Sequence, residues 1–438
     1  MDSRWSDDKF LDEIRAHVDN VADDCVAALG MQQNFADIFR KDDSNWATLP
    51  DEAPQALRDF FAQTDRHLLL ENDLAKFPFG VDPDRLDRGE RVFLDHAFFA
   101  SVVLLAKSLP EGYAAPCLAT LLNLSGNLRT NPYRRLLGVL QLVLDVSSVH
   151  GFEEKGRALA AARQARLMHA GIRRFAPRLM PNYIDTYRGQ PVNLEDMLGT
   201  IMGLSLLVID GMPMLGDALP KDEAEDYYYL WRAFAVAMGI HPPGLRGNDS
   251  WVPATLDDAR AFYASYERRH YEHNPARNPD GVALAQENLA MLRHLLPFPL
   301  TLPGLRRIPE LLMTQLMGSE ACHRVGLTPY VVPFGLHWLA VGTLNVLIDV
   351  GRFLDRIDPT GRWHPTISAI LLQNMIRQQY GGIVTFEIPE SIKDLQEMVR
   401  RKRDEAEGRC TGIRCELGQS RKQRILIWFN VGELDGHV

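Results

Sequence analysis

The sequence has few cysteines, and they are scattered. Its 438 residues include five, at positions 25, 117, 322, 410 and 415. An odd number of widely spaced cysteines does not form a disulfide framework and is typical of a reducing compartment. Cys410 and Cys415 could pair or bind a metal ion, but no second pair of Cys or His ligands lies near them in the sequence.

Several common functional motifs are also absent. No G-x-G-x-x-G follows a strand-like segment, and G-x-x-x-x-G-K-[ST], G-x-S-x-G and H-E-x-x-H do not occur. The net charge of -9 and the lack of a long basic block argue against a nucleic-acid partner. If the protein is an enzyme, a cofactor must supply its chemistry.

Targeting and membrane signals are weak. The N-terminal stretch "MDSRWSDDKFLDEIRAHV" is acidic and lacks the pattern of an export signal, so we expect a cytoplasmic protein. Residues 197–215 and 331–351 approach the roughly 20 apolar residues that span a bilayer. Each segment contains an aspartate, Asp210 and Asp349 respectively. We therefore interpret both as buried core helices and expect no stable membrane insertion.

Helical periodicity dominates the chain and predicts an all-α fold. Strand-like segments occur only at 382–388 and 424–431, too few for an α/β sheet. We predict one large all-α domain over residues 1–407 and a C-terminal extension over 408–438. The predicted helices cover 9–29, 54–71, 90–107, 114–126, 132–147, 154–176, 192–212, 221–239, 255–272, 279–296, 305–324, 334–355, 364–380 and 388–406.

The segment "ARLMHAGIRR" (165–174) places a single histidine among arginines. On a helix, Arg166, His169 and Arg173 share one face, and Arg163 extends that face by a turn. A neutral imidazole can hold haem iron, and arginines one turn away suit the haem propionates. The alternative is a core histidine flanked by arginines that pair with carboxylates. The spacing alone leaves both interpretations open.

Four segments, in order, resemble the DUF2236 family, which contains the latex clearing proteins (bacterial rubber oxygenases) and the MpaB-type oxygenases. "ARLMHAGIRR" is similar to the family segment VRLLHAxVRR, and the other three match in order and spacing. They are "RLLGVLQLVLDV" (135–146), "PVNLEDMLGTIMGLSLLVIDGMPMLG" (191–216) and "DYYYLWRAFAVAMGIHPPGL" (226–245).

The resemblance implies an all-α bundle with a globin-like core that binds b-type haem, with His169 as the proximal iron ligand. Arg166 and Arg173 are then the candidate propionate partners. Asn193 is a candidate to orient a group beside the haem, with N-capping of the helix at 194 as the alternative.

On the distal side, the resemblance implies an arginine and a threonine four residues later, with a glutamate upstream as the base for oxidative cleavage of a C=C bond. Arg135 takes the arginine position, with Arg134 as the alternative register. Val139 takes the threonine position and has no hydroxyl. Residues 113–134 contain no carboxylate, so a replacement base would have to come from elsewhere, such as Glu71, Glu90 or Asp95.

These observations lead us to expect a haem-b-dependent oxygenase that uses dioxygen. Val139 and Leu142 on one helix face favour a hydrophobic small-molecule substrate, such as an unsaturated isoprenoid, a lipid or an aromatic compound. The alternatives are another haem enzyme (a peroxidase, a peroxygenase or a haem-dependent lyase) and a non-enzymatic haem sensor or carrier.

Overall fold

The computed structural model describes residues 4–29, 49, 53–68, 81–124, 132–153, 155–243, 250–295 and 307–330. All of these residues belong to the first of two compact units, Met1–Ser391. Both predicted strands, the three predicted helices after residue 334 and the predicted boundary at 407/408 lie outside the described residues. The division of the chain at residue 407 stays a prediction.

Within these ranges every regular element is helical, which confirms the predicted all-α class. Short 3-10 helices at Arg4–Ser6, Met212–Leu215 and Pro275–Arg277 and a π-helical stretch at Leu104–Ser108 complete the set. The α-helices are α1 Asp8–Arg15, α2 Asn20–Leu29, α3 Gln55–Leu68, α4 Pro83–Asp95, α5 Ala97–Val103, α6 Leu109–Gly112, α7 Pro116–Leu124, α8 Pro132–Val146, α9 Arg157–Leu179, α10 Tyr183–Tyr187, α11 Leu194–Leu204, α12 Leu206–Gly211, α13 Lys221–Ala237, α14 Leu256–His270, α15 Pro279–Leu295 and α16 Ile308–Arg324.

The helix predicted over 9–29 is two helices. The chain leaves α1 at Ala16 and enters α2 at Asn20, where the Asp19 carboxylate accepts a hydrogen bond from the Ala22 N–H at 3.2 Å. An aspartate in this position satisfies a backbone N–H that the first helical turn leaves unpaired. The uniform periodicity of the sequence hid this break.

The helix predicted over 90–107 is also broken. The axis bends by 79° between Pro83–Asp95 and Ala97–Gly112. His96 lies at the bend, and its Nδ1 is 2.8 Å from an Asp217 carboxylate oxygen. The side chain at the junction is therefore tied to the loop before α13 rather than to its own helix.

Two apolar cores lie on different sides of α9. Leu159, Ala162 and Ala165 belong to the main core, which also receives α8, α11 and α13. Leu167 and Ala170 belong to a second, smaller core formed with α2 and α3. The helix that carries His169 is therefore fixed from both sides.

The apolar run Leu194–Leu215 is long and apolar enough to cross a membrane, and 72% of its most apolar window is buried inside the protein. It comprises α11, α12 and a 3-10 turn, and Leu198, Met202 and Leu206 lie in the main core. Burial on this scale supports the interpretation of this segment as a core helix. The second apolar segment, 331–351, lies outside the described residues.

Candidate active site on helices α8 and α9

Helices α8 and α9 pack against each other and are joined by residues 147–156. Arg157, at the start of α9, forms an ion pair with Asp145, near the end of α8. The Asp145 carboxylate also accepts a hydrogen bond from the Gln141 side chain at 2.8 Å. These contacts set the register of the two helices.

Arg135 and His169 lie at similar distances along their own helices from the Asp145–Arg157 ion pair. An α-helix rises 1.5 Å per residue, so Arg135 lies about 15 Å from Asp145 along α8, and His169 lies about 18 Å from Arg157 along α9. The chain runs in opposite directions in the two helices.

The connection between α8 and α9 is held by a buried carboxylate on α4. The two oxygens of Glu90 accept hydrogen bonds from the backbone N–H groups of His150 at 3.1 Å and Gly151 at 3.2 Å. Burial raises the pKa of Glu90 to about 7 against the opposing effect of these hydrogen bonds. His150 itself has a positive φ of 59°, a conformation that is uncommon for residues with a side chain.

His169 lies near the middle of α9. The residue is half-buried, its Nδ1 atom is buried, and among the described residues that atom has no hydrogen-bond partner. Burial, with a smaller contribution from the Arg173 guanidinium, lowers the pKa of His169 to about 4. The imidazole is therefore neutral at physiological pH, which is the form that binds a metal.

The surroundings of His169 test which group this imidazole could hold. A buried ring nitrogen without a partner is costly, and coordination or an added hydrogen bond would remove that cost. Within the described ranges, no three His, Cys, Asp or Glu side chains are arranged to hold a metal ion. A single neutral imidazole fits a prosthetic group that brings its own metal and remaining ligands, as haem does.

Arg166 forms a buried ion pair with the residue that caps α2. Its Nε and Nη2 donate to the two Asp19 carboxylate oxygens at 2.6 and 2.8 Å, and both side chains are nearly inaccessible, at 2% and 3% exposed. Although burial opposes it, the Arg166 guanidinium holds the pKa of Asp19 below its usual range. The remaining donor, Nη1, reaches the Ala237 carbonyl at 3.3 Å.

Arg173 and Arg163 also face α2 and α3. The Arg173 Nε donates to Asp23 at 2.8 Å, while its other nitrogens reach the Val192 and Asp19 carbonyls. The Arg163 guanidinium lies over the Phe61 ring, 4.6 Å from its centre. The geometry thus matches the alternative of carboxylate-paired arginines. The role of Arg166 and Arg173 as propionate partners stays a prediction.

Asn193 caps α11. Its side-chain oxygen accepts from the Asp196 N–H at 3.0 Å, and its side-chain nitrogen donates to an Asp196 carboxylate oxygen at 2.7 Å. Asp196 is in turn bound by the Nη1 of Arg15 at 2.9 Å and the hydroxyl of Tyr266 at 3.0 Å. The N-capping predicted from the sequence is confirmed, and the Asn193 side-chain nitrogen also donates to the Gln190 carbonyl oxygen at 3.0 Å. Its role beside the haem stays a prediction.

The distal candidates lie on α8. The backbone of Arg135 belongs to this helix, but its side chain lies outside the described part of the chain, as does that of Arg134. Val139 and Leu142 are half-buried and pack against the main core. They share a helix face with Arg135, since steps of four and seven residues return to the same side. Val139 thus has a methyl group where the resemblance implies a hydroxyl.

The three carboxylates considered as replacement bases differ in position. Glu90 is engaged by the connection between α8 and α9, Asp95 is exposed at the end of α4, and Glu71 lies outside the described residues. Two other histidines lie close to a carboxylate: His96 is 2.8 Å from Asp217, and His150 is 2.8 Å from Glu153.

Three residues that shape the site were not anticipated in their roles. Asp19 and Asp23 bind the arginines of α9 from 147 and 150 residues away, and Glu90 holds the connection from 60 residues away. The only sequence signal for Asp19 is a polar "DN" pair inside an otherwise helical pattern. That signal marks a helix start but does not identify a partner.

A family model described as "ER-bound oxygenase mpaB/B'/Rubber oxygenase, catalytic domain" matches residues 91–346, more than half of the chain. Among curated proteins, the rubber oxygenase of Streptomyces sp. (strain K30) is 25% identical over 163 residues, a stretch that covers 37% of this chain and 37% of that protein. Just over a third of that relative's length is therefore matched.

A solved structure of latex clearing protein in the closed state has the same overall fold. The TM-score is 0.54 at 18% sequence identity, over 87% of this chain and 88% of that chain. The matched family region contains α8 and α9 with Arg135, Val139 and His169. The chain belongs to the family of MpaB-type and rubber oxygenase catalytic domains.

Proposed function

We propose that this protein is a haem-b-dependent oxygenase that uses dioxygen to oxidise a hydrophobic small molecule. The observation that carries the proposal is His169: a neutral, partly buried imidazole, with an unpartnered Nδ1, on the helix that pairs with the predicted distal helix. Membership of an oxygenase family supports the reaction class.

In this proposal His169 would hold the haem, and bound haem would supply the iron centre at which dioxygen reacts. Arg166 and Arg173 keep α9 in place through Asp19 and Asp23, so the imidazole is presented from a helix fixed on two sides. The low pKa of His169 keeps its ring neutral and able to bind a metal across the physiological pH range.

The distal side favours an apolar substrate. Val139 and Leu142 supply hydrocarbon surface and exclude water, while Arg135 would donate hydrogen bonds to developing negative charge. Val139 can neither accept nor donate a proton, and residues 113–134 contain no carboxylate. A proton on an allylic carbon therefore meets no base from this part of the chain.

This arrangement predicts the substrate range. We expect the haem-loaded protein to consume dioxygen with short isoprenoid alkenes, lipids or aromatic compounds, and not to cut polyisoprene into aldehyde- and ketone-ended fragments. The experiment incubates the protein with each substrate, follows dioxygen with an electrode and identifies products by mass spectrometry. Matched incubations with hydrogen peroxide instead of dioxygen separate an oxygenase from a peroxidase or peroxygenase.

The outcomes discriminate the functions. Oxygenated small products formed with dioxygen uptake support the proposal. Efficient polymer cleavage would show that a base from elsewhere serves the pocket, and peroxide-only turnover would assign another haem reaction. Stable haem binding with no turnover in either oxidant would point to a carrier or sensor.

A further inference from the structure

Val192 has a backbone conformation that valine rarely adopts. Its φ is 53°, in the left-handed region that glycine and asparagine tolerate and a β-branched residue disfavours. Within the described part of the chain, four non-glycine residues have a positive φ, and Val192 is the β-branched one among His150, Lys155, Arg188 and Val192. Strain of this kind persists only where surrounding contacts enforce it, and it tends to occur at functional positions.

Contacts on both sides of Val192 enforce this conformation. The next residue, Asn193, caps α11, and its side-chain nitrogen donates to the Gln190 carbonyl at 3.0 Å. The Leu194 N–H donates to the His17 carbonyl at 3.0 Å, which ties the start of α11 to the segment after α1. The Val192 side chain packs against the main core. The turn is therefore fixed by its neighbours, although valine opposes it.

The fixed turn directs the Val192 carbonyl towards α9. This carbonyl accepts a hydrogen bond from the Nη1 of Arg173 at 3.2 Å, while the Arg173 Nε donates to Asp23 at 2.8 Å and its Nη2 to the Asp19 carbonyl at 3.3 Å. Each guanidinium nitrogen thus has its own acceptor, one from the strained turn and two from α2 and its capping residue. Arg173 lies one helical turn after His169, so these bonds fix the part of α9 next to the candidate iron ligand.

We propose that Val192 is a positioning residue for the candidate haem site: its strained backbone holds a carbonyl against Arg173 and thereby fixes the turn of α9 that carries His169. The proposal rests on the proposed function for the identity of the cofactor, while the strain and the hydrogen bond are features of the structure itself. A substitution that relaxes this backbone should remove strain from the fold and loosen the site.

The first measurement separates the backbone of Val192 from its side chain. Val192→Gly and Val192→Ala both remove the isopropyl group, but glycine tolerates a positive φ and alanine does not. Val192→Gly should therefore melt about 2 °C or more above Val192→Ala, the reverse of the usual order of glycine and alanine. A lower melting temperature for Val192→Gly would show that the position is not strained and would overturn the proposal.

Haem retention should follow the opposite order. Transfer of haem to an apoglobin acceptor, followed in the Soret band, should be about fivefold faster from Val192→Gly than from Val192→Ala, because the glycine backbone can leave the turn and release one hydrogen bond of Arg173. Retention in the same order as the melting temperatures would mean that Val192 acts through stability alone, and would overturn the proposal.

Arg188→Gly is the matched control. Arg188 also has a positive φ, 52°, in the same loop, but its carbonyl accepts from the Nε of Arg15 at 3.2 Å and not from α9. Arg188→Gly should release haem at the wild-type rate. Faster release from this variant, equal to that from Val192→Gly, would also overturn the proposal.

Absence of haem binding in the wild type would mark failure of the proposed function. The positioning role is then measured in the apoprotein, by hydrogen exchange of the peptide that covers residues 166–176. Val192→Gly should raise exchange in this peptide about fivefold, while Val192→Ala and Arg188→Gly should leave it unchanged. If Val192→Gly fails to fold, as judged by circular dichroism, Val192→Asn replaces it in every comparison, since asparagine also tolerates a positive φ. Equal exchange in all variants would overturn the proposal.

Discussion

At the residue scale, the chemistry depends on two positions on facing helices, one that holds a cofactor and one that acts on what the cofactor binds. His169 meets the first requirement, since its neutral form persists well below pH 7. Arg135 is the candidate for the second, because a guanidinium donates several hydrogen bonds in a fixed geometry. Val139 has no hydroxyl at the position where the resemblance implies a threonine. Arg135 is therefore the main polar candidate on this face of α8.

Arg135→Ala should keep haem and lower turnover by about a hundredfold, comparable with the loss of a preorganised donor. The expected basis is weaker stabilisation of negative charge as it develops, with no change in the proximal side. Steady-state rates and the Soret band of the purified variant measure the two effects. Arg134→Ala is the matched control and should retain most of the turnover. A fully active Arg135→Ala variant, or the opposite ranking of the two, would contradict this assignment.

At the scale of helices, a buried ion pair between Asp19 and Arg166 holds α9 against α2. Arg166→Met leaves the Asp19 carboxylate buried without its main partner, which should lower the free energy of unfolding by about 3–5 kcal/mol. Urea unfolding of the apoprotein measures the change. Arg178→Met, at an exposed position on the same helix, is the control and should change it by less than about 0.5 kcal/mol.

The double variant Asp19→Asn with Arg166→Met should recover part of this loss, because no unpaired charge then stays buried. Haem affinity separates the two interpretations of Arg166. If Arg166→Met keeps the stability of the wild type but loses haem, Arg166 binds a propionate rather than holding α9 through its ion pair with Asp19.

Glu90 makes the connection between α8 and α9 sensitive to pH. Its pKa is raised to about 7 from an ordinary value of 4.5, so the folded protein holds the proton more tightly than the unfolded chain. The contribution of this group is therefore present below about pH 4.5 and is lost as the pH rises to about 7. The difference in stability between the wild type and Glu90→Gln should change in this window and be flat above pH 8.

Thermal unfolding of both proteins between pH 4 and pH 9 provides that comparison. Asp95→Asn, at the exposed end of the same helix, is the control. A wild-type protein that gains stability over Glu90→Gln as the pH rises from 4.5 to 7 would reverse the predicted sign.

At the scale of the whole molecule, the sequence predicted the helical class and the family, because both depend on local patterns. Periodicity marks amphipathic helices, and the "ARLMHAGIRR" segment is continuous in the chain. The start of α8 at Pro132 and the cap at Asn193 were also predictable, since each depends on one residue.

What the sequence could not predict depends on contacts between distant residues. The break before α2 places Asp19 against Arg166, 147 residues away, and a single-sequence pattern carries no information on such pairs. The helix predicted over 154–176 instead continues through Pro177 to Leu179, because a proline this close to the helix end removes a single hydrogen bond.

The central claim is that His169 holds haem on a helix fixed by α2 and α3. Its most direct test is the visible spectrum of the purified, haem-reconstituted protein, oxidised and reduced, compared with that of His169→Ala. The wild type should show a Soret band of histidine-ligated b-type haem at full occupancy. The variant should lose haem or shift that band strongly while its helical circular dichroism survives. An unchanged spectrum at full occupancy in His169→Ala would contradict the claim.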